Sequence, residues 1–164
     1  MKKILTILLS ASILVSCSDD FTEIDPVGSL SDAALQNATG VDLLLTGAYS
    51  VLDGIRNGGP GADWTKSGDN WWLDVISDDA HKGSTDGDQA DLLLIELFDW
   101  GSTNPYFEGR WQALFAGVNR ANAVIDLINN SSNPSDFTSQ LAQARFLRGH
   151  YNFEIQRMWV NVPY

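Results

Sequence analysis

Residues 104–158 read NPYFEGRWQALFAGVNRANAVIDLINNSSNPSDFTSQLAQARFLRGHYNFEIQRM, and this stretch decides the fold. Asn104-Pro105 and Asn133-Pro134 each predict a helix start, because asparagine caps helix N-termini and proline is favoured at the first helical position. The first apolar face consists of Trp111, Leu114, Phe115, Val118, Ala121, Ile125 and Ile128. The second consists of Phe137, Leu141, Ala144, Leu147, Tyr151, Ile155 and Met158. Two long helices joined by a short polar turn predict an antiparallel helical hairpin.

A third helix is predicted earlier, over residues 41–54, with Thr39 as its N-cap and Asp42 in the reciprocal position. Its apolar face is Val41, Leu44, Leu45, Ala48, Leu52 and Ile55. The apolar run 92–98 is too short to assign to a helix or a strand by its period. The sequence therefore predicts an all-α fold.

Between these helices, residues 56–91 are rich in glycine and aspartate and contain Trp64, Trp71 and Trp72. A connection this long inside a compact domain is usually functional or disordered. Three tryptophans fit poorly with disorder, so we expect a functional loop inserted between the helices.

The chain begins with a segment typical of export. Lys2 and Lys3 precede an apolar run over residues 4–15, whose helical length of roughly 18 Å is too short for a hydrocarbon core of about 30 Å. This predicts a signal peptide over residues 1–16. Leu14-Val15-Ser16-Cys17 resembles a lipobox, which predicts cleavage before Cys17 and lipid on its thiol. The alternative is an ordinary signal peptide that happens to contain the chain's one cysteine.

Residues 17–38 are predicted to be a lipidated N-terminus and an extended tether, followed by a helical domain over residues 39–164. Ser18-Asp19-Asp20 resembles a signal that exports lipoproteins to the outer cell face. The alternative is a solvated spacer. The net charge of −11 disfavours nucleic acid as a partner.

Several short segments follow one another in a recognisable order. They are Asp25-Pro26, Thr46-Gly47-Ala48-Tyr49, Trp71 with Ser77-Asp78-Asp79-Ala80, Trp111 with Asn119, Ala121 and Asn122, residues 143–148 with Tyr151 and Phe153, and Val162-Pro163-Tyr164. Together with the lipobox, this order resembles the N-terminal region of the RagB/SusD family of nutrient-uptake outer-membrane lipoproteins. Gln143, Gly149 and Val160 depart from the family pattern, which has an acid, an alanine and a glycine there. The family's proteins are several times longer, so the resemblance covers only their N-terminal portion.

The resemblance implies tetratricopeptide-like helical hairpins with long inserted loops, on a protein lipid-anchored in the outer membrane and facing out. It implies binding of oligosaccharides, or occasionally peptides, and their delivery to a SusC-type TonB-dependent transporter. It implies no enzymatic activity and no cofactor.

Loop residues suit that function because flat rings stack on the C–H faces of sugars and carboxylates bind hydroxyls. Trp64, Trp71, Trp72, Asp78 and Asp79 are therefore the candidate ligand-binding residues. The alternatives are that the tryptophans anchor the loop on the helices and that the aspartates form turns. The nearby aspartates 86, 88 and 91 lack calcium-loop spacing, so no metal site is predicted.

Two other functions stay open. One is a lipid-anchored helical scaffold without a ligand of its own. The other is a surface glycoside hydrolase, which needs two carboxyls about 5 to 10 Å apart. Glu96 and Glu108 are the nearest to such a pair, and nothing in the sequence places them together. No catalytic residue is predicted.

Overall fold

Asparagine side chains set where two of the helices begin. In the computed structural model, which describes residues 32–54, 71–85 and 87–163, the Asn104 side chain accepts a hydrogen bond from the backbone N–H of Tyr106 at the start of a 25-residue helix. The earlier helix is capped by Asn37, whose side chain accepts from Gly40 N at 3.0 Å. The prediction of Thr39 as this cap is wrong, because the helix has already begun at Ala38.

All regular elements in the described ranges are helical, which confirms the all-α class. The α-helices are α1 (Asp32–Leu35), α2 (Ala38–Ser50), α3 (Ala90–Glu96), α4 (Pro105–Asn129) and α5 (Thr138–Met158). The 3₁₀ helices are Val51–Asp53, Trp71–Ile76 and Pro134–Phe137. The apolar run 92–98 is thus α-helical as far as Glu96, and Leu97 and Phe98 follow the end of α3. Asn133-Pro134 opens a 3₁₀ turn before α5 instead of opening α5 itself.

Helices α2, α4 and α5 form the main body and run in alternating directions. Arg110 early in α4 bonds Glu154 late in α5, whereas Asn122 bonds Arg148, so α4 and α5 are antiparallel. Gln36, just before α2, bonds the carbonyl oxygen of Asn130, just after α4. Because α2 and α5 both oppose α4, the three apolar faces meet in one core.

The core contains most of the residues of the predicted apolar faces, although Met158 packs against a second cluster and Ile55 lies outside the described residues. Its buried residues are Val41, Leu45, Ala48, Val51, Leu114, Ala121, Val124, Ile125, Leu127, Ile128, Ala144, Leu147, Tyr151 and Ile155. Tyr151 is completely buried, and its hydroxyl donates to the carbonyl oxygen of Ala48 at 2.6 Å. This bond joins α5 to α2 through the centre of the core.

A second, smaller apolar cluster holds the segment that precedes α4. It consists of Val75, Leu92, Ile95 and Tyr106, with Leu73, Ile76, Phe107 and Met158 packed against it. The buried Asn104 side chain also donates to the carbonyl oxygen of Asp91 at 2.8 Å, which ties α3 to the start of α4. This cluster positions one wall of the candidate site.

The chain divides into two units, Met1–Ala34 and Leu35–Tyr164. The predicted signal peptide, Cys17 and most of the predicted tether lie outside the described residues. Where the tether prediction does reach them, it is wrong about α1 and the first residue of α2, which are helical and not extended. Among the helices that the structure describes, none combines the length and apolar character needed to cross a bilayer.

Candidate ligand-binding cleft

A cleft lined by aromatic rings lies where the segment after α3 meets the start of α4 and the end of α5. Its larger part, about 580 Å³, is lined by Leu73, Ile76, Trp100, Gly101, Ser102, Phe107, Arg157, Met158 and Trp159. A smaller part of about 340 Å³ shares Ser102, Phe107 and Trp159 and adds Thr103, Glu108 and Trp111. The larger part falls within the usual size of small-molecule sites. We refer to both parts together as the aromatic cleft.

The rings of the cleft support one another. The centroids of Trp100 and Phe107 are 5.9 Å apart in an edge-on arrangement, and those of Trp111 and Trp159 are 5.1 Å apart at 87°. The ring centroids of Trp100 and Phe98 are 5.7 Å apart. Such pairs add roughly 0.5–1.5 kcal/mol each beyond their buried area, so the cleft is walled by mutually oriented rings.

Phe98 adopts an uncommon backbone conformation at the edge of this wall. Its φ is +59°, in the left-handed region that favours glycine. Phe98 N bonds the carbonyl oxygen of Ile95 at 3.1 Å, and Asp99 N bonds that of Leu94 at 2.8 Å, the pattern of a Schellman helix end. A phenylalanine that is 65% exposed holds the position where glycine would be least strained, and such strain clusters at functional sites.

Polar groups line the cleft beside the rings. Arg157 lies in the larger part, and its Nη1 donates to both carboxylate oxygens of Glu154, at 3.1 and 3.3 Å. Glu108 is exposed in the smaller part, where its carboxylate accepts from Gln112. The hydroxyls of Ser102 and Thr103 complete the polar lining. The cleft therefore has a cation at one end and a carboxylate at the other.

A buried ion pair lies next to Arg157. Arg110 is completely buried, and its Nη2 donates to Oε2 of the buried Glu154 at 3.2 Å. Glu154 thus binds one guanidinium inside the helical body and a second one in the cleft. Because a buried carboxylate is costly unless it is paired, this arrangement fixes the Glu154 side chain.

The five ligand-binding candidates from the sequence are not the residues of this cleft. Trp64 lies outside the described residues. The backbone of Trp71 and Trp72 begins the 3₁₀ helix Trp71–Ile76, whose residues Leu73 and Ile76 line the cleft, but the two tryptophan side chains lie outside what the structure describes.

Asp78 and Asp79 are both exposed, in a turn directly after that 3₁₀ helix. Asp79 N donates to the hydroxyl of Ser77 at 3.2 Å, which is a turn-forming contact. Neither aspartate is among the residues that line the aromatic cleft.

The loop after the turn is fastened to α3 by Glu96. One carboxylate oxygen contacts His81 Nδ1 at 2.7 Å, and the other accepts from Lys82 N at 2.9 Å. The Lys82 backbone N–H, followed by the His81 ring, lowers the pKa of Glu96 below its usual value. Lys82 Nζ donates to the carbonyl oxygens of Thr85 and Asp88. Glu96, one of the two acids considered for a hydrolase, is therefore engaged in holding a loop.

A second, more polar pocket of about 520 Å³ lies between α4 and α5. Its lining is Phe115, Val118, Asn119, Asn122, Arg148, Asn152 and Pro163. Within it, Arg148 Nη1 donates to Asn122 Oδ1 at 3.2 Å, and Asn152 donates to the carbonyl oxygen of Arg148. The first bond joins α5 to α4 and stabilises the hairpin, whereas the second lies within α5.

Sequence reasoning missed Trp100, Phe107, Arg157 and Trp159 as site residues and did not place Trp111 in a cleft. One local signal was available, since Phe98, Trp100 and Phe107 surround a glycine, two hydroxyl residues and a helix cap. Arg157 and Trp159 lie 50 or more positions later in the chain, and no local signal connects them to this segment.

Comparison of the chain with protein-family models, curated proteins and solved structures finds no match. In the ranges that the structure covers, no three histidine, cysteine, aspartate or glutamate side chains come together in a way that could hold a metal ion.

Proposed function

We propose that this chain is a lipid-anchored glycan-binding protein of the RagB/SusD type. It binds oligosaccharides at the outer face of the outer membrane and passes them to a SusC-type TonB-dependent transporter, without chemistry of its own. The observation that carries the proposal is the aromatic cleft, in which exposed and half-buried rings stand beside hydroxyl, carboxylate and guanidinium groups.

The chemistry of a sugar explains why such a cleft suits it. Each pyranose ring offers C–H faces to an aromatic ring and hydroxyls to polar groups at its edge. Trp100, which is 40% exposed, and the half-buried Trp159 offer ring surface within the cleft. Ser102, Thr103 and Glu108 supply hydrogen-bonding groups beside them.

The helical hairpin and the anchor belong to the same proposal. Antiparallel α4 and α5, with α2 against them, are compatible with the tetratricopeptide-like pairs that the family resemblance implies. Lipid on Cys17 would hold the cleft beside a membrane transporter, because two or more acyl chains give stable anchoring whereas one chain binds only marginally.

Calorimetry of the full chain against a panel of oligosaccharides tests the binding. We expect Trp100→Ala to weaken binding about fivefold to tenfold, because a ring contact is worth ~1 kcal/mol. Phe146→Ala is the matched control, since Phe146 is 72% exposed on α5 and is not a cleft residue. The absence of binding to every oligosaccharide contradicts the proposal, and release of shortened products contradicts the non-enzymatic part of it.

Metabolic labelling with palmitate tests the anchor, and co-purification tests the partner. Label should enter the wild-type protein and should be lost in Cys17→Ala. A TonB-dependent transporter should co-purify with the lipidated form. Label that persists in Cys17→Ala would contradict the anchor.

One observation favours a second function, a lipid-anchored helical interaction module. Phe146 and Phe153 are 72% and 60% exposed, two helical turns apart on α5. Large exposed apolar side chains on one helix face are typical of protein contacts. If the panel shows no ligand while the transporter still co-purifies, this function replaces the first.

A further inference from the structure

We propose that the ligand of the aromatic cleft is an acidic oligosaccharide, and that Arg157 binds the carboxylate of one uronate unit. The inference rests on the proposed glycan-binding function and names the class of sugar. It follows from the geometry of Arg157, from what holds this side chain in place and from the polarity of the cleft.

The guanidinium of Arg157 has hydrogen-bond donors that Glu154 does not use. Its Nη1 is engaged by Glu154, and its side chain is 51% exposed. Within the described part of the chain, Nε and Nη2 of Arg157 make no hydrogen bond to the protein, so both can donate to a ligand. A planar guanidinium edge binds a carboxylate through two parallel hydrogen bonds, which a hydroxyl cannot match.

The position of Arg157 is fixed in advance by two contacts. The carboxylate of Glu154, which is itself bonded to the buried Arg110, accepts a hydrogen bond from Nη1. The centroid of the Phe153 ring lies 5.8 Å from the guanidinium carbon, within cation–π range. A preorganised cation loses less freedom on binding than a mobile surface arginine, so it discriminates better between ligands.

The two ends of the cleft differ in charge, and this sets the direction of the ligand. Arg157 lines the larger part, whereas the exposed Glu108 lines the smaller part. An acidic unit is attracted at the first end and repelled at the second. The ligand therefore places its carboxylate at Arg157, a ring face against Trp159, and hydroxyls toward Glu108.

The overall charge of the protein opposes the binding of acidic ligands in general. A net charge of −11 repels anions from most of the surface. An acidic glycan that binds in spite of this repulsion must find a local cation with the right geometry. Unspecific capture of polyanions, which basic proteins show, is therefore disfavoured here.

Calorimetry with paired probes tests the inference on the full chain. The probes are trigalacturonic acid, trimannuronic acid and the methyl esters of both, which keep the shape and remove the charge. We expect at least one acid to bind about tenfold or more tightly than its ester, since a charge-assisted hydrogen bond contributes about twice what a neutral one does. Arg157→Gln should bring acid and ester to the same affinity.

Arg145→Gln provides the matched control, because Arg145 is exposed on the same helix and does not line the cleft. It should leave the preference for the acid unchanged. Arg157→Lys keeps the charge but loses the planar edge, so it should retain only part of the preference.

The outcomes separate the two proposals. If both acids bind no more tightly than their esters, or if Arg157→Gln keeps the preference, the acidic-sugar inference is overturned and glycan binding stands. If neutral oligosaccharides bind and neither acid does, the inference is overturned in the same way. If no oligosaccharide of any charge binds, both proposals fall together.

Discussion

The ring of Tyr151 lies directly against Gly117, so that a methyl group at Gly117 would stand 2.7 Å from Cγ and Cδ2 of the ring. The hydroxyl of the same tyrosine reaches Ala48 on α2. Tyr151 thus contacts the backbone of two other helices at once, and α4 and α5 can approach this closely only because residue 117 has no side chain.

Gly117→Ala should destabilise the protein by about 1–3 kcal/mol, the usual cost of overpacking a core. Gly149→Ala is the matched control in α5, because a methyl group there meets nothing within 4 Å. It should stabilise the protein by about 0.5–1 kcal/mol, since alanine is the better helix former. Urea denaturation measures both changes. Equal effects of the two substitutions would contradict the close contact.

Tyr151→Phe should cost about 1–3 kcal/mol, because the Ala48 carbonyl oxygen would remain buried without its donor. The substitution should also alter stability in alkali. Burial raises the pKa of Tyr151 to about 12, against the lowering influence of Arg120, from an ordinary value of 10.0.

The sign of this alkaline effect follows from the raised pKa in the folded state. The unfolded chain loses the Tyr151 proton first, so this contribution is complete below pH 10 and is lost as the pH rises from about 10 to about 12. Denaturation at several alkaline pH values should therefore show a steeper loss of stability for wild type than for Tyr151→Phe. Parallel curves would contradict the shift.

Asn104→Ala should destabilise the protein by about 1–3 kcal/mol, because it removes a helix cap and a buried hydrogen bond to the Asp91 carbonyl oxygen. Asn133→Ala is a natural control, since Asn133 precedes proline in the same way but makes no capping hydrogen bond. It should change stability by less than about 0.5 kcal/mol. Thermal or urea denaturation distinguishes the two, and a reversed order would exclude the capping assignment.

Phe98→Gly should stabilise the fold by about 1 kcal/mol, because glycine adopts a positive φ without strain. The same substitution removes an exposed ring beside Trp100, so it should weaken oligosaccharide binding. Opposite signs in denaturation and calorimetry are the expected result. A variant that loses stability would contradict the backbone strain, and unchanged affinity would remove Phe98 from the binding surface.

Glu96→Gln should loosen the loop that begins at His81. The carboxylate accepts the Lys82 N–H, and that bond with the His81 contact lowers the pKa of Glu96 from 4.5. Its contribution is therefore present above pH 4.5 and is lost as the pH falls through the lowered pKa. Hydrogen exchange, corrected for the intrinsic rate at each pH, should show a lower protection factor for the Lys82 amide in the variant and, at acid pH, in wild type. An unchanged rate in the variant would rule out this role of Glu96.

The apolar patterns could be read from the sequence because they are local. Leu114, Ala121 and Ile125 recur at helical spacing, and a face of this kind must be buried wherever its helix packs. The extra width of the buried face of α4, which includes Val124 and Leu127, follows from contact with two helices instead of one. No local pattern shows how many neighbours a helix has.

The cleft could not be predicted in the same way. Trp100 and Trp159 are 59 positions apart and reach one cleft only when α3, α4 and α5 have packed. Trp111, which its spacing assigns to the core, is half-buried and also lines the smaller part of the cleft. The loop tryptophans could be identified from the amino-acid composition of one segment. The residues of the cleft are far apart in the sequence and become neighbours only in the folded protein.

The two Asn-Pro dipeptides show where the sequence by itself suffices and where it does not. Alone, it determined that the chain is helical, which residues face the core and that helical structure starts near each dipeptide. Only the tertiary structure decided that Asn104 caps α4 while Asn133 leads into a 3₁₀ turn without a side-chain cap. The physical reason is that Asn104 is buried and bonded to Asp91 on α3, whereas Asn133 is exposed.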